Sequence, residues 1–84
     1  MYEVLLTSQA QRDLRRLPAD VFERVAGVIR ALSRTPRPPR CRKIVGSRSD
    51  WRLRIGDYRV VYEVNDASRL VRVMYVRHRR DAYR

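Results

Sequence analysis

The chain has very few of the residues that cross-link small proteins or bind metals. Cys41 is the only cysteine among 84 residues, so no intrachain disulfide can form and the fold must depend on its hydrophobic core. His78 is the only histidine, and one histidine, one cysteine and scattered carboxylates make no ligand set at a recognised spacing. We therefore expect no metal and no other cofactor, and the single cysteine fits a reducing cytoplasm.

Long hydrophobic runs are also missing from the sequence. No stretch approaches the ~20 apolar residues needed to cross a bilayer, and the opening Met1-Tyr2-Glu3 lacks the basic and apolar regions of a secretory signal. The sequence therefore predicts a cytoplasmic protein that does not interact with a membrane. With 84 residues, of which 44% are hydrophobic and 35% charged, we expect one globular domain over residues 1–84.

Positive charge is what the sequence has in excess. The formal net charge is +11, and Lys43 is the only lysine among the 20 basic residues, so nearly all of this charge is arginine. Such an excess destabilises the compact state by self-repulsion, which favours a polyanionic partner: RNA, DNA or an acidic protein. Arginine presents a planar fork of donors that matches phosphate, although a biased genome composition also enriches arginine. Nucleic acid is the partner that we expect.

The first half of the chain predicts one strand followed by two helices. Residues 2–6 are rich in strand-forming side chains, and Ser8-Gln9-Ala10-Gln11 has the pattern of a capping box at a helix start. The first helix must be short, because Pro18 is suited to the start of a second helix. Apolar residues then recur at helical spacing over residues 21–32, which predicts an amphipathic helix. The proline-rich residues 35–40 predict a loop.

The second half alternates apolar and polar residues with period two, as antiparallel strands do. Gly56-Asp57 fits a two-residue type II′ hairpin turn, with glycine at the first central position. A polar turn at residues 65–68 precedes a third strand at residues 70–76. The sequence thus predicts an α+β fold, with an N-terminal strand and two helices packed on one face of a small antiparallel sheet. The place of the N-terminal strand within the sheet is left open.

In a hairpin closed at Gly56-Asp57, the apolar side chains lie on one face and the arginines on the other. Arg54 then lies opposite Arg59, and facing like charges destabilise a strand pair unless an anion such as phosphate binds both or the arginines splay into solvent. The face predicted to pack on the helices comprises Trp51, Leu53, Ile55, Tyr58, Val60, Tyr62 and Val64. The exposed face is predicted to comprise Arg52, Arg54 and Arg59, joined by Arg72 and Met74 of the third strand, with Val61 between Arg52 and Arg72.

The C-terminal segment 76–84 places two titratable side chains, His78 and Tyr83, at the end of the strand that borders these arginines. Each residue also has a simpler interpretation, as a surface histidine or a packing tyrosine. Imidazole is suited to proton transfer at neutral pH. A nuclease without a metal ion needs arginines for charge and other side chains for proton transfer. This chemistry suits RNA, because the 2′-hydroxyl can attack its own phosphate and DNA has no such nucleophile.

Together these features resemble the RelE branch of the RelE/ParE toxin superfamily. The resemblance covers essentially the whole chain and depends on the order of elements, on Gly56-Asp57-Tyr58-Arg59 and on the tail His78-Arg79-Arg80-Asp81-Ala82-Tyr83. It implies the toxin of a type II toxin–antitoxin pair, which enters the ribosomal A site and cleaves translated mRNA. The implied partners are the ribosome with its mRNA and a RelB-like antitoxin protein. The toxin is expected to be monomeric when alone and to form a higher-order complex with the antitoxin.

The resemblance also implies a role for each candidate site residue. Arg59 matches the family arginine that stabilises the transition-state phosphate, Arg79 matches the arginine beside the leaving group, and Tyr83 matches the proposed general base. His78 is expected to share the acid–base work. Arg52 and Arg54 stand where the family often has lysines. Because arginine does not readily exchange protons, these two residues are expected to have electrostatic roles. The expected RNA-binding residues are Arg52, Arg54, Arg72 and Lys43.

Two other functions are compatible with the sequence. ParE relatives keep the fold but poison DNA gyrase and generally lack the catalytic tail, so Tyr83 and the clustered arginines favour the RelE branch. The second is a nucleic-acid-binding domain without catalysis, which would yield no cleavage product.

Overall fold

A computed structural model describes residues 1–81 as two helices and a five-stranded sheet. The elements are β1 (Glu3–Leu6), α1 (Ser8–Arg15), α2 (Ala19–Ala31), β2 (Arg42–Lys43), β3 (Asp50–Ile55), β4 (Tyr58–Asn65) and β5 (Leu70–His78). The strand order is β1-β5-β4-β3-β2, with β1 parallel to β5 and the other neighbours antiparallel. The predicted α+β class and the meander of β3, β4 and β5 are confirmed, and the N-terminal strand forms one edge of the sheet.

The core lies between the helices and one face of the sheet. From α2 it contains Val25 and Ile29, and the Leu32 side chain that follows α2 is also buried. From the predicted apolar face of the hairpin, Trp51 and Tyr58 are partly buried, and the fully packed residues are Leu53, Ile55, Val60, Tyr62 and Val64. The face that was expected to meet the helices therefore does so. Neither helix within residues 1–81 is long and apolar enough to cross a membrane.

The segment between α2 and β2 is fastened to the sheet at two points. The buried Tyr62 hydroxyl donates a hydrogen bond of 2.8 Å to the Pro36 carbonyl oxygen, and burial raises the pKa of this phenol, which keeps it a donor. Arg37 donates two hydrogen bonds to the Asp66 carboxylate, at 2.7 and 3.2 Å, and its guanidinium carbon lies 5.3 Å from the centre of the Trp51 ring. The proline-rich loop is thus held in place on both sides.

The N-cap of α1 is Thr7, so the capping box predicted at residues 8–11 is wrong. The Thr7 hydroxyl accepts a hydrogen bond of 3.1 Å from the Ala10 backbone N–H and donates one of 2.7 Å to the Met74 carbonyl oxygen in β5. Threonine and serine are both good caps, so local pattern alone cannot decide between neighbouring candidates. The contact with β5, which is remote in sequence, selects Thr7.

Replacing Thr7 with alanine is expected to lower the free energy of unfolding by about 1–2 kcal/mol, because the Ala10 N–H loses its cap and Met74 loses a donor. Ser8→Ala is the matched control, since Ser8 is exposed and makes no side-chain hydrogen bond within residues 1–81. This control should change stability by less than about 0.5 kcal/mol. Urea unfolding measures both variants. Equal losses in the two variants would place the cap elsewhere.

The β3–β4 hairpin has the predicted register and turn. Arg54 pairs with Arg59 and Trp51 with Tyr62. Gly56 has a φ of 58°, and Arg69 is the one non-glycine residue within the described chain that has a positive φ. A positive φ at the first central position alone is what a type II′ turn requires, and glycine adopts it without strain.

The β4–β5 register differs from the prediction for two reasons. The turn comprises residues 66–69 instead of 65–68, with Arg69 at a φ of 52°, which moves the pairing by two residues and leaves every side chain on its face. A β-bulge between Val61 and Tyr62 then adds one more residue on the β5 side. As a result Tyr75, and not Arg72, lies opposite Val61, and the predicted row through Arg72 is wrong.

Candidate nucleic-acid interface

The face of the sheet opposite the helices carries a depression of about 250 Å³. All of its lining residues are arginines: Arg40, Arg42, Arg52, Arg54 and Arg59. The strand register brings four of them into two rows, because Arg42 pairs with Arg52 and Arg54 with Arg59. Residues two apart on a strand share a face, so the rows lie side by side. The depression therefore contains the three arginines that the sequence predicts on this face, Arg52, Arg54 and Arg59, together with Arg40 and Arg42, which the sequence did not predict there.

Four of the five arginines in this depression, Arg40, Arg42, Arg52 and Arg54, offer their charge to an external anion. Ion pairs within residues 1–81 involve Arg37 with Asp66, Arg72 with Glu63 and Arg79 with Asp57, at 2.7, 3.9 and 3.9 Å. In that part of the chain no carboxylate pairs with Arg40, Arg42, Arg52 or Arg54. Arginines that face one another repel, and an anion between them relieves this repulsion.

Two of the expected RNA-binding residues lie outside the depression. Arg72 is on the same face but opposite Glu63, to which its Nη1 atom is 3.9 Å from Oε1. Lys43 lies opposite Trp51, whose side chain packs on the core, so its alternating neighbour Arg42 is the residue that faces the depression. No sequence signal indicates this, because β2 has only two residues and no periodic pattern.

His78 lies on the helix side of the sheet, so the expectation that it borders the arginine face is wrong. It pairs with Tyr58, and the two rings meet edge to face with centroids 5.2 Å apart. Its Nδ1 atom accepts a hydrogen bond of 3.2 Å from the Arg80 backbone N–H. Because strand side chains alternate, the neighbouring Arg77 takes the position on the exposed face, opposite Arg59.

Arg79, which follows β5, is held against the hairpin turn. The Arg79 backbone N–H donates a hydrogen bond of 2.7 Å to the Asp57 carbonyl oxygen, and the Arg79 Nε atom lies 3.9 Å from the Asp57 carboxylate. Asp57 is in the turn that joins Arg54 and Arg59, so Arg79 is attached close to one end of the depression. Tyr83 lies outside the described residues, and its expected role stays a prediction.

Sequence reasoning missed an aromatic residue on the same face. Tyr75 lies opposite Val61 and Arg77 opposite Arg59, and the Arg77 guanidinium carbon is 4.1 Å from the centre of the Tyr75 ring. Alternation along the sequence assigns Tyr75 and Arg77 to the opposite face, because it does not reveal the bulge, which changes the β5 side chains that share the arginine face. Aromatic rings beside a cationic groove are the combination used by proteins that bind single-stranded nucleic acid.

A second groove, of about 710 Å³, adjoins the depression on the side of α2. It runs between α2, the proline-rich loop and β3, and its lining includes Val28, Leu32 and Leu53. Arg40 and Arg54 line both the groove and the depression. A ligand or partner segment that fills the groove would therefore also contact Arg40 and Arg54 at the edge of the depression.

Comparison with known proteins gives a consistent set of relatives. Residues 4–83 match the family described as ParE toxin of type II toxin-antitoxin system, parDE. Toxin RelG of Mycobacterium tuberculosis (strain ATCC 25618 / H37Rv) is 36% identical over 87 residues, which cover 99% of this chain and 97% of RelG.

Solved structures of similar proteins share the fold. The toxin–antitoxin complex RelBE2 from Mycobacterium tuberculosis contains a chain that is 29% identical, with a TM-score of 0.81 over 92% of this chain and 96% of that one. The archaeal RelE–RelB complex from Pyrococcus horikoshii OT3 contains one that is 28% identical, with a TM-score of 0.83 over 93% and 94% of the two chains. The isolated E. coli RelE toxin, at 24% identity and a TM-score of 0.81 over 93% and 84%, supports the fold alone.

Proposed function

Since the chain belongs to the RelE/ParE superfamily of toxins of type II toxin–antitoxin systems, we propose that it is a ribosome-dependent endoribonuclease that cleaves translated mRNA. The observation that carries this proposal is the depression lined by five arginines on the exposed face of the sheet. Arginine forks bind phosphate through paired charge-assisted hydrogen bonds, and phosphate contacts supply affinity for RNA of any sequence. The resemblance to RelE supports the dependence on the ribosome, and we propose that the protein acts in the cytoplasm, where ribosomes translate mRNA.

The proposed reaction is attack by an RNA 2′-hydroxyl on the adjacent phosphorus. The 2′-oxygen gives its proton to the Tyr83 phenolate and bonds to phosphorus, the bond to the 5′-oxygen breaks, and that oxygen takes up a proton from water. The products are a 2′,3′-cyclic phosphate and a 5′-hydroxyl. Arg54 and Arg59 face each other across the hairpin and would stabilise the negative charge that grows on the phosphate oxygens. Proton transfer is assigned to Tyr83, with Arg79 beside the leaving group.

The test in cells is to induce the toxin without an antitoxin and to map mRNA 5′ ends by primer extension. Cuts are expected inside translated codons. The matched control is the same transcript with its start codon replaced, which should stay intact because no ribosome presents it. Cuts that are equally frequent in both transcripts would contradict ribosome dependence, and an absence of cuts would contradict the nuclease.

The match to the ParE toxin family favours gyrase poisoning as the second candidate function. A supercoiling assay with purified gyrase, relaxed DNA and the purified chain separates the two candidates. A gyrase poison inhibits supercoiling and leaves mRNA uncut, whereas the proposed nuclease leaves supercoiling unchanged.

A RelB-like antitoxin is the proposed partner that neutralises this toxin. Solved relatives from Mycobacterium tuberculosis and Pyrococcus horikoshii OT3 are complexes with their antitoxins. In this chain the groove beside α2 offers an apolar surface, and Arg40 and Arg54 at its border offer positive charge. An acidic, amphipathic segment that is disordered when free and orders on docking would match both features.

Antitoxin affinity is expected to fall as salt rises, because salt screens the attraction between an acidic partner and a chain of net charge +11. Titration calorimetry at about 0.05 and 0.5 M salt should show a weakening of at least roughly tenfold. A glutamine variant at Arg54 should show a smaller salt dependence than the parent. A positively charged partner, or an affinity that does not respond to salt, would contradict this electrostatic basis.

A further inference from the structure

We propose that Arg40 and Arg42 form a second phosphate subsite beside the pair of Arg54 and Arg59, so that the chain holds two successive phosphates of an RNA strand. This inference rests on the proposed RNA-binding function of the depression. It concerns two arginines to which the resemblance to RelE gives no role.

The strand register supplies the geometry. Arg42 of the short strand β2 pairs with Arg52, and the next row on the same face pairs Arg54 with Arg59. Two residues along a strand span ~7 Å, which is comparable to the separation of neighbouring phosphates along an extended RNA strand. The depression thus offers two rows of cations at a suitable spacing.

The number of arginines also exceeds what one phosphate can use. A phosphodiester carries one negative charge and two non-bridging oxygens, so two bidentate guanidinium groups already occupy it. The depression is lined by five arginines. Arg40 and Arg42 have no carboxylate partner within residues 1–81, and a second phosphate would supply the missing negative charge.

Arg42 is oriented before any ligand arrives. Its Nη1 atom donates to the Cys41 carbonyl oxygen at 3.1 Å and to the Pro39 carbonyl oxygen at 3.4 Å. These carbonyls restrain one end of the guanidinium group without neutralising its charge. The loop behind them is fastened by the hydrogen bond from Tyr62 to Pro36. A guanidinium held in this way loses less conformational freedom when it binds phosphate.

The test uses two RNA probes with unphosphorylated ends, 2′-O-methyl diuridylate and triuridylate, which carry one and two phosphates. The 2′-O-methyl group removes the nucleophile, so binding is measured without cleavage. In the parent protein the second phosphate should raise affinity by roughly tenfold, the effect expected of one charge-assisted contact. In the double variant Arg40→Gln, Arg42→Gln this gain should disappear, and the salt slope for triuridylate should fall by about 0.7.

The matched control is the double variant Arg15→Gln, Arg34→Gln. It removes the same charge from two exposed arginines outside the depression. This control should keep the gain from the second phosphate. If it loses the gain as well, diffuse charge explains binding and the subsite is wrong. If the Arg40 and Arg42 variant keeps the gain, the inference is equally wrong.

Further controls distinguish a failure of the second phosphate subsite from misfolding of a variant and from a failure of the proposed nuclease function. Circular dichroism checks that each variant is folded. If the double variant unfolds, Arg42→Lys tests the subsite instead, because lysine keeps the charge but lacks the planar fork. The lysine variant should retain the salt slope and lose most of the tenfold gain, and an undiminished gain would overturn the subsite. If the parent cleaves mRNA on ribosomes but no variant alters the gain, only this inference fails. If the parent cuts no mRNA but the gain disappears in the double variant, the endoribonuclease fails and the two-phosphate site stands.

Discussion

Arg59→Ala is expected to abolish toxicity and to slow mRNA cleavage by about 10²–10³-fold, with the fold intact. Arg59 lies on the central part of the exposed face, between Arg54 on one neighbouring strand and Arg77 on the other. Its charge stabilises the phosphate most when negative charge accumulates in the transition state. The variant should therefore lose rate in the chemical step to a greater extent than affinity for RNA.

Growth after induction and single-turnover cleavage on ribosomes measure the effect of Arg59→Ala. Arg34→Ala is the control, because Arg34 is an exposed arginine outside the depression, and it should arrest growth as the parent does. Thermal unfolding verifies that both variants are folded. If well-folded Arg59→Ala arrests cells as quickly as the parent, Arg59 has no part in the chemistry.

Tyr83→Phe is expected to slow single-turnover cleavage by about 10²–10⁴-fold, the usual effect of removing one proton-transfer group. A phenol ordinarily has a pKa of ~10, so a tyrosine base needs cations that favour the phenolate. Arg52 and Arg54 on the exposed face and Arg79 beside the hairpin turn are the cations available. Affinity for the ribosome should change little, because only a hydroxyl group is lost.

His78→Gln is the comparison that tests the proton-transfer assignment. The His78 ring meets Tyr58 on the helix side of the sheet, on the face opposite Arg54 and Arg59, so its loss should cost much less than the loss of the Tyr83 hydroxyl. If Tyr83→Phe cleaves at the parental rate and His78→Gln is inactive, histidine is the base and the role given to the tyrosine must be dropped.

The hairpin of β3 and β4 could be predicted because everything that fixes it is local. Gly56 supplies the positive φ of the turn, the turn fixes the register, and period-two alternation then assigns each side chain to a face. The pairing of Arg54 with Arg59 follows from these facts alone. That is why the centre of the candidate site was readable from the sequence.

The outer parts of the site depend on contacts between distant segments. The turn at residues 66–69 sets which β5 residues lie opposite β4, and the bulge near Val61 sets which of them share the arginine face. Alternation along the sequence reveals neither feature. The two-residue strand β2 pairs with β3 only in the folded chain, which brings Arg42 and not Lys43 to the depression. Thr7 likewise becomes the cap of α1 because β5 lies beside it.

The central claim is ribosome-dependent cleavage of mRNA, and one measurement tests it directly. Purified ribosomes are programmed with a defined mRNA, a codon is placed in the A site, and the purified chain is added in excess. We expect one cut within that codon, with a 2′,3′-cyclic phosphate and a 5′-hydroxyl at the new ends, and no cut when the attacking 2′-hydroxyl is replaced by hydrogen. An uncut codon, or an unchanged cut in the 2′-deoxy mRNA, would contradict the proposed function.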